Sequence, residues 1–452
     1  MSEAVFNILQ IAQQSADVTP VGAKMLIPVD AGSVIDEDRS PVSPDEDYGE
    51  NAVGQPSRGT YGLRGATINV TGEVRAEDFI ELLSMHAKGG VTSGGGAGAY
   101  TWAYPYDLTS NSLKRYTIEG GVVGVTQDQW RAVGCLCNQL EFGFDALAAP
   151  GNAPWKFTAD IQALYRERSN LTAALTPYSP LETLEGHMTL FSEGTTSTAY
   201  GALSATAASL KSFKVTSNLN LVRRAYGGSV DYASGWGYSA RKDVGFTAEI
   251  GINSATKSAI SDIYETAGSL MVERRWRIQA RGSRLTTQNE IQTFTTSADG
   301  GTFSLTFEGY TTGQIAYGAS TATVQTAIRL LPPLSAGANV TVGGAPGAWT
   351  FTFANVYASQ PVTLLRFDDS ALTDSTPPLT STMIVTQPGG QLKQMTIDGR
   401  VRFHVVNIGN VDGERVYAVE GIYVKDPVAN SGTGTDLLVT MLNGIPTQLT
   451  LV

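Results

Sequence analysis

The chain of 452 residues carries 31 Lys+Arg against 42 Asp+Glu, a formal net charge of −11, with only 16% charged residues and 49 glycines. That balance excludes a disordered polyelectrolyte and a long coiled coil, and favours a β-rich protein of roughly two to four domains with many turns. Overall acidity also disfavours ordinary nucleic-acid binding, because phosphate is repelled.

The start, Met1-Ser2-Glu3-Ala4-Val5-Phe6, lacks the basic and long apolar stretches of a signal peptide. No apolar run approaches the roughly 18 residues of a membrane helix, so a soluble protein made in cytoplasm, with no membrane partner, is expected. Val5, Phe6, Ile8, Leu9 and Ile11 make residues 1–24 an apolar arm, suited to docking on a neighbour or to forming an edge element of the first domain.

Strands are expected at Met25–Val34 and at 66–74, where Ile68, Val70 and Val74 alternate with Thr67, Asn69, Thr71 and Glu73. Between them, residues 36–50 hold seven acids and Arg39, a local charge of 1 − 7 = −6. This reads as an exposed, partner-facing loop, since it lacks the alternating acids and fixed Gly of a calcium loop. A helix follows: Glu77 and Asp78 suit its first turn, Phe79, Leu82, Leu83 and His86 share a face, and Gly89-Gly90 stops it. Strands then come at Leu113–Glu119, Cys135–Phe144 and Trp155–Leu164. Cys135 and Cys137 lie two apart on one strand, poor disulfide geometry, and read as small buried residues.

Residues 166–209 read as a linker, after which the order repeats. Strands are expected at Ser212–Val222 and 243–252, and Ser254 caps a helix carrying Ile260, Ile263, Tyr264 and Ala267 up to Gly268. Further strands follow at Met271–Gln279, Met395–Val405 and Arg415–Val424. The two helices lie roughly 180 positions apart, which indicates an internal duplication. The second copy, 210–299 with 386–452, is interrupted by a Gly-, Ala- and Thr-rich module at 300–385 between linkers at 285–300 and 374–390. That module has strands at Phe303–Glu308 and Trp349–Phe353, and a helix bearing Val324, Ala327, Ile328 and Leu331 that Pro332-Pro333 ends.

Catalytic signals are weak. His86, His187 and His404 show no metal spacing, and the glycine run 94–98 lacks the Lys-Ser/Thr of a phosphate loop. Ser254-Ala-Thr-Lys257 matches a Ser-x-x-Lys nucleophile motif without its partner motifs, so Ser254 reads better as a cap. No enzyme, metal or cofactor is expected. The arginines Arg274, Arg275, Arg277, Arg281 and Arg284 stand against Glu273 alone. Arg275, Arg277 and Arg281 would share one polar strand face, and a contact between Asp45, Glu46 and Asp47 of one subunit and that face, or the nearby Arg241-Lys242, of a neighbour is the expected interface.

The stretch Trp130-Arg131-Ala132-Val133-Gly134-Cys135, then Leu140-Glu141-Phe142, then Trp155-Lys156-Phe157-Thr158-Ala159-Asp160, following a strand, a long loop and one short helix, resembles the major tail tube proteins of long-tailed bacteriophages. Within the module, Thr302-Phe303-Ser304-Leu305-Thr306-Phe307, Thr323-Val324-Gln325-Thr326-Ala327-Ile328, Asn339-Val340-Thr341-Val342-Gly343-Gly344 and Trp349-Thr350-Phe351-Thr352-Phe353 resemble a recurrent module of phage virion proteins that decorates outer surfaces. The resemblance implies a mainly β fold of two duplicated sandwich- or barrel-like domains at 25–165 and 210–299/386–452, each with one flanking helix, plus a small β-rich insert. It further implies homotrimeric, pseudo-hexameric rings stacked into the hollow tail tube of a virion assembled in host cytoplasm. The implied partners are the chain itself, a tape-measure protein, tail-terminator or tail-tip proteins, and passing double-stranded DNA without sequence-specific binding. A tail-tip or receptor-binding protein and a carbohydrate-binding β protein are the alternatives.

Overall fold

The computed structural model describes residues 7–14, 19–30, 35–38, 41–42, 60–61, 64–87, 91–93, 100–106, 113–123, 125, 128–146, 153–178, 182–205, 210–224, 233, 235–240, 242–253, 256–257, 260, 273–285, 289–335, 338–411, 413–426, 437–443 and 445. The chain is mainly β. Its principal elements, in chain order, begin with β1 (Asn7–Gln13), β2 (Met25–Ile27), β3 (Ile35–Asp38), β4 (Gly65–Glu73), α1 (Phe79–His86), β5 (Tyr116–Val122), β6 (Gln129–Asp145), β7 (Lys156–Ala163), β8 (Tyr165–Arg168) and β9 (Glu185–Thr195). There follow β10 (Leu210–Asn218), β11 (Asp243–Gly251), β12 (Glu273–Arg284), β13 (Ile291–Thr296), β14 (Gly300–Phe307), α2 (Thr321–Arg329), β15 (Val340–Ala345), β16 (Ala348–Phe353), β17 (Ser381–Gln387), β18 (Leu392–Val411), β19 (Glu414–Val424) and β20 (Leu437–Asn443). The described residues fall into two compact units, one of Ser283–Lys393 with Tyr100, the other of the rest.

The larger unit is organised by a single antiparallel sheet in the order β3-β4-β7-β6-β10-β11-β19-β18. Its first four strands come from residues 35–163 and its last four from residues 210–424. Cross-strand rows correspond residue by residue. Ile35–Ile68–Ile161–Cys137 run across the first half. Val215–Phe246–Gly421–Phe403 run across the second. Immediately after each row the last strand takes an extra residue, Asn138 in β6 and His404 in β18. A bulge fixes local register, so the same bulge at the same row is a strong mark of duplication.

The period-two alternation explains which face is covered. Ile68 and Val70, Phe157, Ala159 and Ile161, Leu140 and Phe142, Phe213 and Val215, and Phe246 and Ala248 all point into the core. Helix α1 lies on this side entirely buried, with the Phe79 ring 5.6 Å from both Phe142 and Phe157. Its acid Glu81 accepts hydrogen bonds from the Tyr116 hydroxyl (2.6 Å) and the Tyr178 hydroxyl (3.1 Å). The helix expected after Ser254 lies largely outside the described residues, where only 256–257 and 260 can be placed.

Of the two expected roles of the arm, its described residues take that of an element of the first domain: β1 is paired on both edges, Ile11 facing Met25 of β2 and Ile118 of β5, and Leu9 and Ile11 are buried. Two expectations are corrected. Residues 166–209 are not a linker, because β8 pairs with β6 and β9 pairs with β12. In fact β9 is the second counterpart of β1, since Phe191 meets Ile278 as Ile11 meets Ile118. Its apolar residues are spaced too widely among Gly, Thr and Glu for alternation to be legible.

The second correction concerns the module, which is wider than 300–385. Strands β13 and β17, lying in the segments expected to be linkers, pair with each other and complete a four-stranded sheet β15-β16-β13-β17. Phe294 of β13 lies in the module core with Phe303, Trp349 and Phe351. Helix α2 closes that core through Val324 and Ile328, with Ser320 accepting from the Thr323 amide at its N-terminus (3.2 Å). The module begins and ends side by side, the Leu285 amide donating to the Gln391 carbonyl at 2.8 Å.

Candidate functional site: the polar sheet face and the junction of the two halves

Where the halves meet, Gln139–Asp145 of β6 pairs continuously with Ser212–Asn218 of β10, Phe142 standing opposite Val215. One repeat has been added to the edge of the other by main-chain hydrogen bonding, the mode by which strands extend a sheet. Side chains reinforce the seam from three directions. On the polar face, Lys214 Nζ lies 3.3 Å from Glu141 and the Thr216 hydroxyl donates to the same carboxylate. At the bulge, Asn138 takes the Leu219 amide on its carbonyl and the Leu221 amide on its side chain, both at 2.8 Å.

From the core side His86 spans the seam, its Nδ1 3.0 Å from the Cys137 carbonyl and its Nε2 2.8 Å from the Ser217 hydroxyl. The carbonyl can only accept, so Nδ1 carries the proton and Nε2 accepts from Ser217. Burial pushes the His86 pKa down to about 4, which keeps the ring neutral.

The face opposite the core is mostly polar, with Val405, Ala418 and Ile422 interrupting it on β18 and β19. It presents Glu73, Asp160, Glu141, Asp145, Asp243, Glu249 and Glu420 against Lys156, Lys214, Arg400 and Arg402, with Thr71, Thr158, Thr216 and Thr247 between them. A shallow trough of about 370 Å³ crosses the seam, lined by residues including Glu141, Asp145, Lys156, Ser212, Lys214 and Thr247. Among the described residues, no three His, Cys, Asp or Glu converge as a metal site would need. The chemistry of this face is that of a broad acidic surface, which repels polyanions.

The arginines of β12 are placed differently from the expectation. Arg275 is 3% exposed and grips Asp426 at two points, Nε to Oδ2 (2.6 Å) and Nη2 to Oδ1 (2.9 Å), with Nη1 on the Thr198 carbonyl. Arg277 grips the buried Asp398 in the same fork at 2.7 Å twice, and Tyr200 lies under both guanidinium groups while donating to Asp426. Arg281 is half-buried opposite Glu185 of β9. Glu273 binds Arg400 and Arg402.

Arg275 and Arg277 therefore tie β12 to β18 and to the segment after β19 within one chain, and are not offered to a neighbour. The alternation was legible, Trp276 and Ile278 being buried opposite them, but both faces of β12 are covered. Asp45, Glu46 and Asp47 lie outside the described residues. The acids Asp36, Glu37 and Asp38 of the same sequence run form exposed β3, with Glu37 held by Arg64 and Arg166 and Asp38 by Arg223.

No protein-family profile matches the chain, and no curated protein does. Among solved structures, the chain is similar to one from Mycobacterium phage Patience at 18% identity and a TM-score of 0.17, covering 55% of this chain and 82% of that one. A likeness of that size leaves fold and function to be argued from this chain's own residues.

Proposed function

We propose that this chain is a structural protein of a phage virion that polymerises as stacked rings into a tail tube. The observation that carries the reading is the seam itself: two copies of one β-unit are joined edge to edge in a single sheet, with matching rows and matching bulges. A unit that adds to its own kind head-to-tail goes on adding until the rotation closes a ring. With two units per chain, three chains make a six-unit ring. The sequence resemblance to tail tube proteins gives the same arrangement and supplies the phage context.

The broad acidic face suits the channel wall. Duplex DNA passing through such a wall is repelled by Glu73, Glu141, Asp160, Glu249 and Glu420 rather than held, so transit needs no release of tight phosphate contacts. The partners under this reading are further copies of the chain, a tape-measure protein during assembly, tail-terminator and tail-tip proteins at the ends, and DNA. Negative-stain electron microscopy of the purified protein tests it: hollow tubes with pseudo-six-fold cross-section are expected, and monomers or closed small oligomers at high protein concentration would refute it.

A further inference from the structure

Residues 169–183 carry the chain from the first repeat to the second and cross the first repeat as a strap. Leu164 before it and Leu184 after it are buried, whereas no described residue between them is. The strap is held by hydrogen bonds instead, and four carboxylates along its path accept them. The Thr172 amide donates to Glu119 (2.8 Å) and the Tyr178 hydroxyl to Glu81 (3.1 Å). The Glu182 amide donates to Glu77 (3.3 Å) and the Thr183 hydroxyl to Glu73 (2.7 Å). The Leu26 amide reaches the Thr176 carbonyl at 3.4 Å, which lays the strap against β2. A segment tied down by polar bonds with little apolar burial is among the first to open locally.

Two of these acceptors, Glu77 and Glu81, flank Asp78 in sequence, and all three acids are buried at the start of α1. Arg75 is the cation against Asp78. Its Nη1 lies 3.6 Å from Asp78 and also donates to the Pro28 carbonyl (2.9 Å), while its Nη2 lies 3.9 Å from Glu73. Glu77 and the Tyr178 phenol also face Asp78, and Lys114 and Tyr116 face Glu81. Burial raises the Asp78 pKa to about 7, against the pull of Arg75 and with Glu77 adding to the rise. Once ionised, Asp78 sets a further negative charge beside the acceptors that hold the strap, and draws Arg75 away from Glu73. We propose that residues 169–183 are a pH-sensitive strap, closed on α1 and β2 while Asp78 holds its proton and opened when Asp78 loses it. The β6–β10 seam keeps the two repeats joined in either state. In the open form Asp78 meets water and its pKa returns toward 3.8, so the closed form binds one proton more between about pH 4 and pH 7. Closure is firmest at the acid end of that interval. It loosens as pH rises, the ratio of open to closed growing by up to about tenfold per pH unit and levelling above about pH 7.

The test is hydrogen exchange of the full chain from pH 5 to pH 8, each amide rate divided by that of the unfolded peptide at the same pH. Dilute, unassembled chain is used, so neither result bears on tube formation. Protection of the Leu26, Thr172 and Glu182 amides is expected to fall by about tenfold or more between pH 5 and pH 7 and then to level. The β6 amides at the seam are expected to keep theirs. Asp78→Asn, which cannot ionise, is expected to hold the strap amides at their acid-side protection throughout. Glu77→Gln, which keeps an acceptor for the Glu182 amide and removes the charge beside Asp78, is expected to move the fall to lower pH, and it serves alone if Asp78→Asn does not fold. Strap protection that stays flat from pH 5 to pH 8 would overturn the proposal. So would a fall that survives Asp78→Asn, one whose midpoint Glu77→Gln leaves in place, or one that the β6 amides share equally.

Discussion

Arg275 and Asp426, 151 positions apart in sequence, meet in a two-point ion pair in which both side chains are buried. The guanidinium fork matches the carboxylate, and the Thr198 carbonyl and Tyr200 hydroxyl satisfy groups that would otherwise stand unpaired in the interior. A charge left alone there costs far more than the pair contributes, so the partners are strongly coupled.

Arg275→Ala is accordingly expected to destabilise the chain by about 3–5 kcal/mol. Replacing both partners, Arg275→Met with Asp426→Leu, should restore most of the loss. Urea unfolding of the singles and the double reads the coupling directly, and additive losses would refute it.

Trp276, on the opposite face of the same strand, is packed by Phe191, Phe246 and Phe403 at 5.0, 5.0 and 5.4 Å. Trp276→Ala should cost about 3–5 kcal/mol by leaving a cavity that strands from four parts of the sequence cannot all close. Calorimetry of this variant beside Trp236→Ala, a partly buried site, checks that the loss is one of core packing.

His86 makes the stability of the seam pH-dependent. Its pKa near 4 in the folded chain is below the ordinary value of 6.5, so the unfolded chain binds the proton first as pH falls. The stabilisation is complete above pH 6.5 and is lost on acidification toward pH 4, up to about 3 kcal/mol. His86→Gln should flatten the unfolding profile over that interval while lowering stability at pH 7.

Asp78 works in the opposite direction. Burial beside α1 raises its pKa to about 7, with Arg75 at 3.6 Å only partly compensating. The folded chain holds this proton more tightly, so its contribution is present at low pH and fades as pH rises from about 4 to 7. Asp78→Asn should therefore raise the melting temperature at pH 8 and leave it nearly unchanged at pH 4.

The module's adjacent ends predict that it is separable. Replacing residues 286–390 by a short Gly-Ser turn between Leu285 and Gln391 should leave the larger unit folded and competent to assemble, because the hydrogen bond at the base already spans the gap. A folded remainder that forms no tubes would show instead that the module takes part in assembly.

What the sequence by itself determined lies in the short range. Alternation at 66–74 and 243–252, the helix face of Phe79, Leu82, Leu83 and His86, and the helix ended by Pro332-Pro333 were legible because spacing decides which side chains share a face. The order of elements even disclosed the duplication. Tertiary structure alone decided the partners. Nothing local distinguishes Arg275 on a solvent face from Arg275 locked on Asp426, since the carboxylate arrives from 151 residues away. Nothing local shows that Phe142 is covered while Ile408, its counterpart, is bare. Side-chain direction is a property of the strand, whereas burial is a property of what the rest of the chain lays over it, and strand pairing across such distances is set by the whole fold.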